Sequence, residues 1–240
     1  MAVNEALRRQ YLQYMGITSW QKRSVVPTDT PREVVAELVE VSETVEADAA
    51  AVVPDVHKLD WPALTESILS CRRCDLHSKR KQAVVGVGDH NADWMFVGEA
   101  PGAEEDRQGE PFVGPAGKLL NAMLFALGLK RADVYIANVL KCRPPQNRDP
   151  QANEVEACEP YLLRQIELIQ PRVIVALGRH AAHSLLKTDK ALNKMRGEKM
   201  LYHDIPTVVT YHPAYLLRNP ADKAKAWQDL CLAKGIVEVS

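Results

Sequence analysis

The chain has 240 residues, of which 46% are hydrophobic and 25% charged, with 30 basic against 31 acidic side chains. This is a globular composition; it excludes collagen-like, fibrous and wholly disordered proteins, and the length allows one domain of about 150–200 residues with chain to spare. A net charge of −1 does not mark a nucleic-acid binder, since such domains are usually clearly basic, but the first 60 residues hold six basic and ten acidic side chains and so leave a mildly basic remainder.

Residues 1–23 are predicted to form a short amphipathic helix and turn, with Leu7, Tyr11, Leu12, Tyr14 and Met15 at helical spacings and Gly16 at its end. The opening residues lack the apolar run of a signal peptide, and no stretch reaches the ~20 apolar residues of a membrane helix, so a cytoplasmic protein is expected. Residues 24–60 are acidic, rich in Val, Glu, Ala, Thr and Pro, and contain no aromatic residue. They read as a flexible linker.

Residues 61–240 are expected to form the folded domain. WPALTESILS starts it as a helix with Pro62 in the first turn. Apolar strand runs then alternate with helices: WMFVGEA, AGKLLNAMLFALG, VYIANVL, a long helix over 152–169, RVIVALG, HAAHSLL, TVVTYH and a last helix near DKAKAWQDLCLAKG. That order predicts an α/β fold, a parallel sheet covered on both faces, with function gathered at the carboxyl ends of the strands.

Five cysteines at uneven spacing point to metal or redox chemistry rather than a disulfide framework in a cytosolic protein. Cys231 reads as a small core residue of the last helix. Cys71 and Cys74 form a C-x-x-C, Cys142 follows a strand, and Cys158 lies inside a helix. These four suit either a structural Zn²⁺ or a [4Fe–4S] cluster, since both accept four thiolates.

The strand ends carry the candidate chemistry. Gly98, Glu99 and Ala100 open a Gly-Pro-Gly loop in which a carboxylate can polarise water or stabilise a developing cation. Glu104, Glu105 and Asp106 follow, either raising one another's pKa or favouring a helix start. Phe112 is either a core plug or a platform for a planar ligand. Asn138, in an otherwise apolar strand, either holds a loop or reads the edge of a base. His212 either caps a helix or donates to an oxyanion. Tyr215, Leu216, Leu217 and Arg218 suit an apolar wedge with a cationic flank, the device that fills the gap when a base leaves the stack. His180 and His183, without a third ligand, are expected to be structural.

Together GEAPGAEED, PFVGPAGKLLNAML, YIANVLKCRPPQNRDP and HPAYLLRNP, with four cysteines in this order, resemble the family 4 (iron–sulfur) uracil-DNA glycosylases over residues 61–235. The resemblance implies a three-layer α/β/α sandwich with a four-stranded parallel sheet and a [4Fe–4S] cluster on Cys71, Cys74, Cys142 and Cys158. It places Glu99 near the attacking water, Phe112 on the uracil ring, Asn138 on the uracil edge, His212 on uracil O2 and Glu105 near the pocket. Gly98 and Ala100 flank the acid in the substrate loop. None of the residues so placed is a lysine, so a monofunctional enzyme leaving an abasic site is expected, with uracil-containing DNA as substrate and a monomer as the working form. LQYMGITSWQKR is similar to the segment with which the psi subunit of the bacterial clamp loader docks onto chi, which implies a chi-like replisome partner held by Tyr14, Gly16, Ile17 and Trp20. The alternative function is a replisome-associated binding protein on a glycosylase-like scaffold.

Overall fold

The computed structural model describes residues 55–239. The helix expected over 1–23, the docking residues Tyr14, Gly16, Ile17 and Trp20, and the linker as far as residue 54 lie outside the described residues. Residues 55–60, assigned to the linker by composition, pack onto the domain instead. Asp55 caps a single 3₁₀ turn at Val56–Lys58, and Val56 is buried with Leu64, Ile68 and Tyr161.

The helices are α1 (Trp61–Leu69), α2 (Ala103–Gln108), α3 (Pro115–Leu127), α4 (Ala152–Ile169), α5 (Arg179–Leu186), α6 (Leu192–Met195), α7 (Pro213–Arg218) and α8 (Lys223–Val239). The strands are β1 (Val87–Gly88), β2 (Trp94–Gly98), β3 (Tyr135–Asn138), β4 (Val173–Leu177), β5 (Lys199–Tyr202) and β6 (Ile205–Thr210), in the spatial order β1-β3-β2-β4-β6-β5. The four central strands pair in parallel, with Gly98 opposite Asn138 and Leu177 opposite Thr210. All residues of β2, β3 and β4 are buried, which is why these strands read as unbroken apolar runs.

Alternate residues serve opposite faces of the sheet. Met95, Val97, Ile174 and Ala176 pack with residues of α4 and α5, while Trp94, Phe96, Val173 and Val175 pack with residues of α3 and α8. The result is the expected three-layer sandwich. The antiparallel edge strands β1 and β5 were not foreseen. The first is two residues long, and Lys199 and Leu201 of the second are exposed, so neither carries an apolar run. Cys231 also departs from expectation: it is exposed, and the buried stripe of α8 runs through Ala226, Leu230, Ala233 and Ile236. Among the described residues, no helix is long and apolar enough to cross a membrane.

Candidate active site

Neighbouring strands β2 and β4 send the chain to opposite faces, to α3 and α5 respectively. A parallel sheet opens a crevice at such a switch point, outside the carboxyl ends of its strands. Here it is a cleft of about 440 Å³ whose walls include Glu99, Ala100, Glu105, Phe112, Asn138, Asp149, His212, Tyr215 and Arg218.

Asn138 ends β3 and is 2% exposed. Its Oδ1 is the one buried side-chain polar atom among the described residues without a hydrogen-bond partner. Leaving a buried acceptor unpaired costs about 1–3 kcal/mol, so the fold carries this cost at the cleft rather than relieving it. Gly98 faces it across the strand pair: a Cβ there would lie 2.4 Å from Asn138 Oδ1 and 2.6 Å from Phe112 Cζ. Phe112 therefore closes over the amide only because position 98 has no side chain.

Phe112 has φ 54°, a left-handed backbone that a bulky residue adopts only when its surroundings impose it. The surroundings do impose it. Glu105 Oε1 accepts from the backbone N–H of Val113 at 3.1 Å and of Gly114 at 3.2 Å, and the Arg131 guanidinium donates to Pro111 O. A Cβ on Gly117 would lie 1.7 Å from Phe112 O, so the next helix also seats against this turn. Glu105 thus holds the aromatic loop, and Phe112 is both core residue and cleft wall.

His212 follows β6 as the N-cap of α7. Its Nδ1 accepts from Ala214 N–H at 3.1 Å, which leaves the proton of a neutral ring on Nε2. Burial pushes its pKa down to about 4, helped by Arg218 and opposed by Glu105, so the ring is neutral at pH 7. The loop is braced from behind. Tyr211 stacks on Tyr215 at 5.0 Å, Arg196 lies 4.4 Å above the Tyr211 ring, and Arg196 pairs with buried Asp229 at 2.7 Å. Tyr215 OH donates to Asp222. Leu216, expected in the wedge, is fully buried because α7 turns that position into the core; Leu217 and Arg218 are the exposed residues.

Glu99 stands just past β2. Burial, with the Asp149 carboxylate adding to it and Arg179 opposing, raises its pKa to about 7. Sequence reasoning did not single out Asp149 and took His180 as structural; the fold brings both beside Glu99. Ligand atoms of Glu99, Asp149 and His180 lie within 4.8 Å of one another, with Asp149 Oδ2 3.3 Å from His180 Nε2. Two carboxylates and an imidazole at this spacing could hold a cation, but the Arg179 guanidinium, 3.9 Å from Asp149, already offsets charge there. Asp149 is presented by a loop that the Arg148–Glu154 ion pair pins to the start of α4.

The cysteines form a second, separate site. Cys71, Cys74, Cys142 and Cys158 line one small cavity, with Cys142 and Cys158 buried among Leu76 and Leu140. Arg80 Nη1 donates to Cys142 Sγ at 2.9 Å, and its Nη2 donates to the Leu69 and Cys71 carbonyls. Lys141 N–H donates to Cys158 Sγ at 3.3 Å. Burial raises the Cys158 thiol to about 12. Four cysteine sulfurs lining one cavity are a donor set that fits a group taking four thiolate ligands.

The uracil DNA glycosylase superfamily model matches residues 85–231. A type-4 uracil-DNA glycosylase of Archaeoglobus fulgidus is 48% identical over 165 residues, covering 65% of this chain and 83% of the relative. Those of Pyrobaculum aerophilum and Thermotoga maritima are each 44% identical, over 74% and 73% of this chain and 94% and 93% of theirs. The matched stretch contains Glu99, Phe112, Asn138 and His212, and the chain belongs to the uracil DNA glycosylase superfamily.

Proposed function

We propose that this chain excises uracil from DNA by hydrolysing the N-glycosidic bond, leaving an abasic site. The observation that carries the reading is the orphaned Asn138 Oδ1 at the cleft. Uracil N3–H supplies the missing donor, and the Asn138 amide N–H₂ donates to O4. Cytosine presents the opposite pattern at both atoms, which leaves buried groups unpaired at about 1–3 kcal/mol each. A base inside a duplex cannot reach this cleft, so the nucleotide is flipped out. Phe112 then stacks on it, restoring about 1–3 kcal/mol of lost stacking.

The C1′–N1 bond breaks with its electron pair going to N1, giving a uracil anion and an oxocarbenium-like sugar. His212 Nε2–H donates to uracil O2 and stabilises that anion without being an imidazolium. Glu99 faces the cationic sugar, and water adds to C1′ while its proton passes to the Glu99 carboxylate. A base that titrates near neutrality is matched to that task. Glu105 acts by holding the Phe112 loop, Gly98 and Ala100 by leaving room for the base, and Tyr215, Leu217 and Arg218 lie on the strand-facing rim.

Cys71, Cys74, Cys142 and Cys158 would hold a [4Fe–4S] cluster. When bound, it supplies a covalent staple between the Cys71–Cys74 segment and the core; no redox step is needed. The enzyme acts as a cytoplasmic monomer, and its N-terminal segment, through Tyr14, Gly16, Ile17 and Trp20, docks a chi-like replisome subunit. A scaffold without activity is disfavoured because Glu99, Phe112, Asn138 and His212 all line one cleft.

Incubation with an oligonucleotide bearing one uracil, followed by alkali, tests the activity. Strand scission by the wild type and its loss in His212→Ala are expected; an intact strand with wild type would overturn the reading. Brown colour with broad absorbance near about 400 nm tests the cluster, and a colourless, zinc-containing protein would contradict it.

A further inference from the structure

Lys141 is 1% exposed, between the cleft and the cysteine site. Its Nζ donates to Asn138 O at 2.9 Å and to Gln165 Oε1 at 2.6 Å, and among the described residues it has no carboxylate partner. Gln165, fully buried on α4, uses its amide N–H₂ to hold Val85 O and Tyr135 OH. Tyr135 begins β3 and Asn138 ends it, so the ammonium and the amide together clamp both ends of the strand that carries the proposed base reader. On the other side, the Lys141 backbone N–H touches Cys158 Sγ and its chain neighbour is Cys142.

Burying an ammonium away from any carboxylate costs several kcal/mol, and an apolar side chain of the same length would fill the space without that cost. Two hydrogen bonds fix the ammonium on the Asn138 carbonyl and on α4, an arrangement that packing alone does not require. We propose that Lys141 is a positioning residue for base recognition: by holding the Asn138 carbonyl against α4 it sets the amide that reads the base, and its main chain ties that setting to the cysteine site. The inference rests on Asn138 reading the base. A rotation of the Asn138 peptide would swing Oδ1 away from its place beside Phe112 and Gly98, where a Cβ on residue 98 would already lie 2.4 Å from it.

The test is a double-mutant cycle of Lys141→Met with Asn138→Ala, read by single-turnover excision and by calorimetric binding of free uracil. Lys141→Met is expected to slow excision and weaken uracil binding about tenfold in the wild-type background, and by less than twofold in the Asn138→Ala background, with absorbance near about 400 nm retained. Wild-type rate and binding in Lys141→Met would overturn the proposal. So would an equal fold-loss in both backgrounds, which marks a general structural effect. If Lys141→Met does not fold, Gln165→Met removes the ammonium's anchor on α4 and is read the same way. Wild-type excision by Asn138→Ala would instead remove the reading of Asn138 itself, and the proposal with it.

Discussion

The two polar sites lie close along the chain, since Asn138 and Cys142 are four residues apart, but they are built in opposite ways. The cleft is left incomplete: a buried acceptor without a donor, an aromatic residue on left-handed backbone, and a carboxylate raised to about 7 by burial. The cysteine site is internally supplied, with a guanidinium and a backbone N–H already aimed at its sulfurs. A site through which ligands pass keeps its unmet hydrogen bonds for them, whereas a site for a resident group supplies its own donors in advance.

This contrast predicts that damage to one site costs turnover and damage to the other costs the fold. His212→Ala is expected to reduce single-turnover excision by a factor on the order of 10²–10³, the usual loss for one oxyanion donor, while its melting temperature falls by only about 2–4 °C through loss of the α7 N-cap. Cys158→Ser, or removal of the bound iron by chelation, is expected to lower the melting temperature by about 10 °C or more, as a loss of a few kcal/mol does in a domain of this size. A Cys158→Ser protein that melts like wild type would break the comparison.

The Glu99 environment gives two finer tests. The Asp149 carboxylate raises the Glu99 pKa, so Asp149→Asn should move the acid limb of the pH–rate profile, near pH 7 in the wild type, to lower pH. An unmoved or alkaline-shifted limb would contradict the assignment. Because the folded-state pKa of Glu99 is above its ordinary 4.5, the carboxylate's stabilising proton is lost as pH rises through about 7. Glu99→Gln should therefore be inactive yet melt higher than wild type at pH 8, with the gap closing as pH falls toward 4.5. The smallest effect belongs to the rim: Leu217→Ala should slow excision only several-fold, and on duplex more than on single-stranded DNA.

The central strands were legible because burial on both faces writes them as unbroken apolar runs; the edge strands were not, since Lys199 and Leu201 break that pattern. Glu99, Phe112, Asn138 and His212 could be singled out as polar or aromatic residues in strand-end loops. Asp149 and His180 could not, because they meet Glu99 only at the switch point between β2 and β4, and strand order is not local in sequence. Leu216 left the expected wedge for a similar reason: one residue on α7 is about 100° of rotation, and nothing local fixes which leucine faces the core. Lys141, beside Cys142, reads in the sequence either as a cation offsetting thiolate charge or as ordinary surface; its bonds to Asn138 and Gln165 exist only in the fold.

The central claim is that the Asn138 amide selects uracil by completing its hydrogen bonds. Mass-spectrometric detection of the free base released from strands carrying uracil, cytosine or thymine at one position tests it most directly. Release of uracil but not cytosine by the wild type, falling at least about 100-fold in Asn138→Ala, is the predicted result; undiminished release by Asn138→Ala, or release of cytosine at a comparable rate by the wild type, would contradict it.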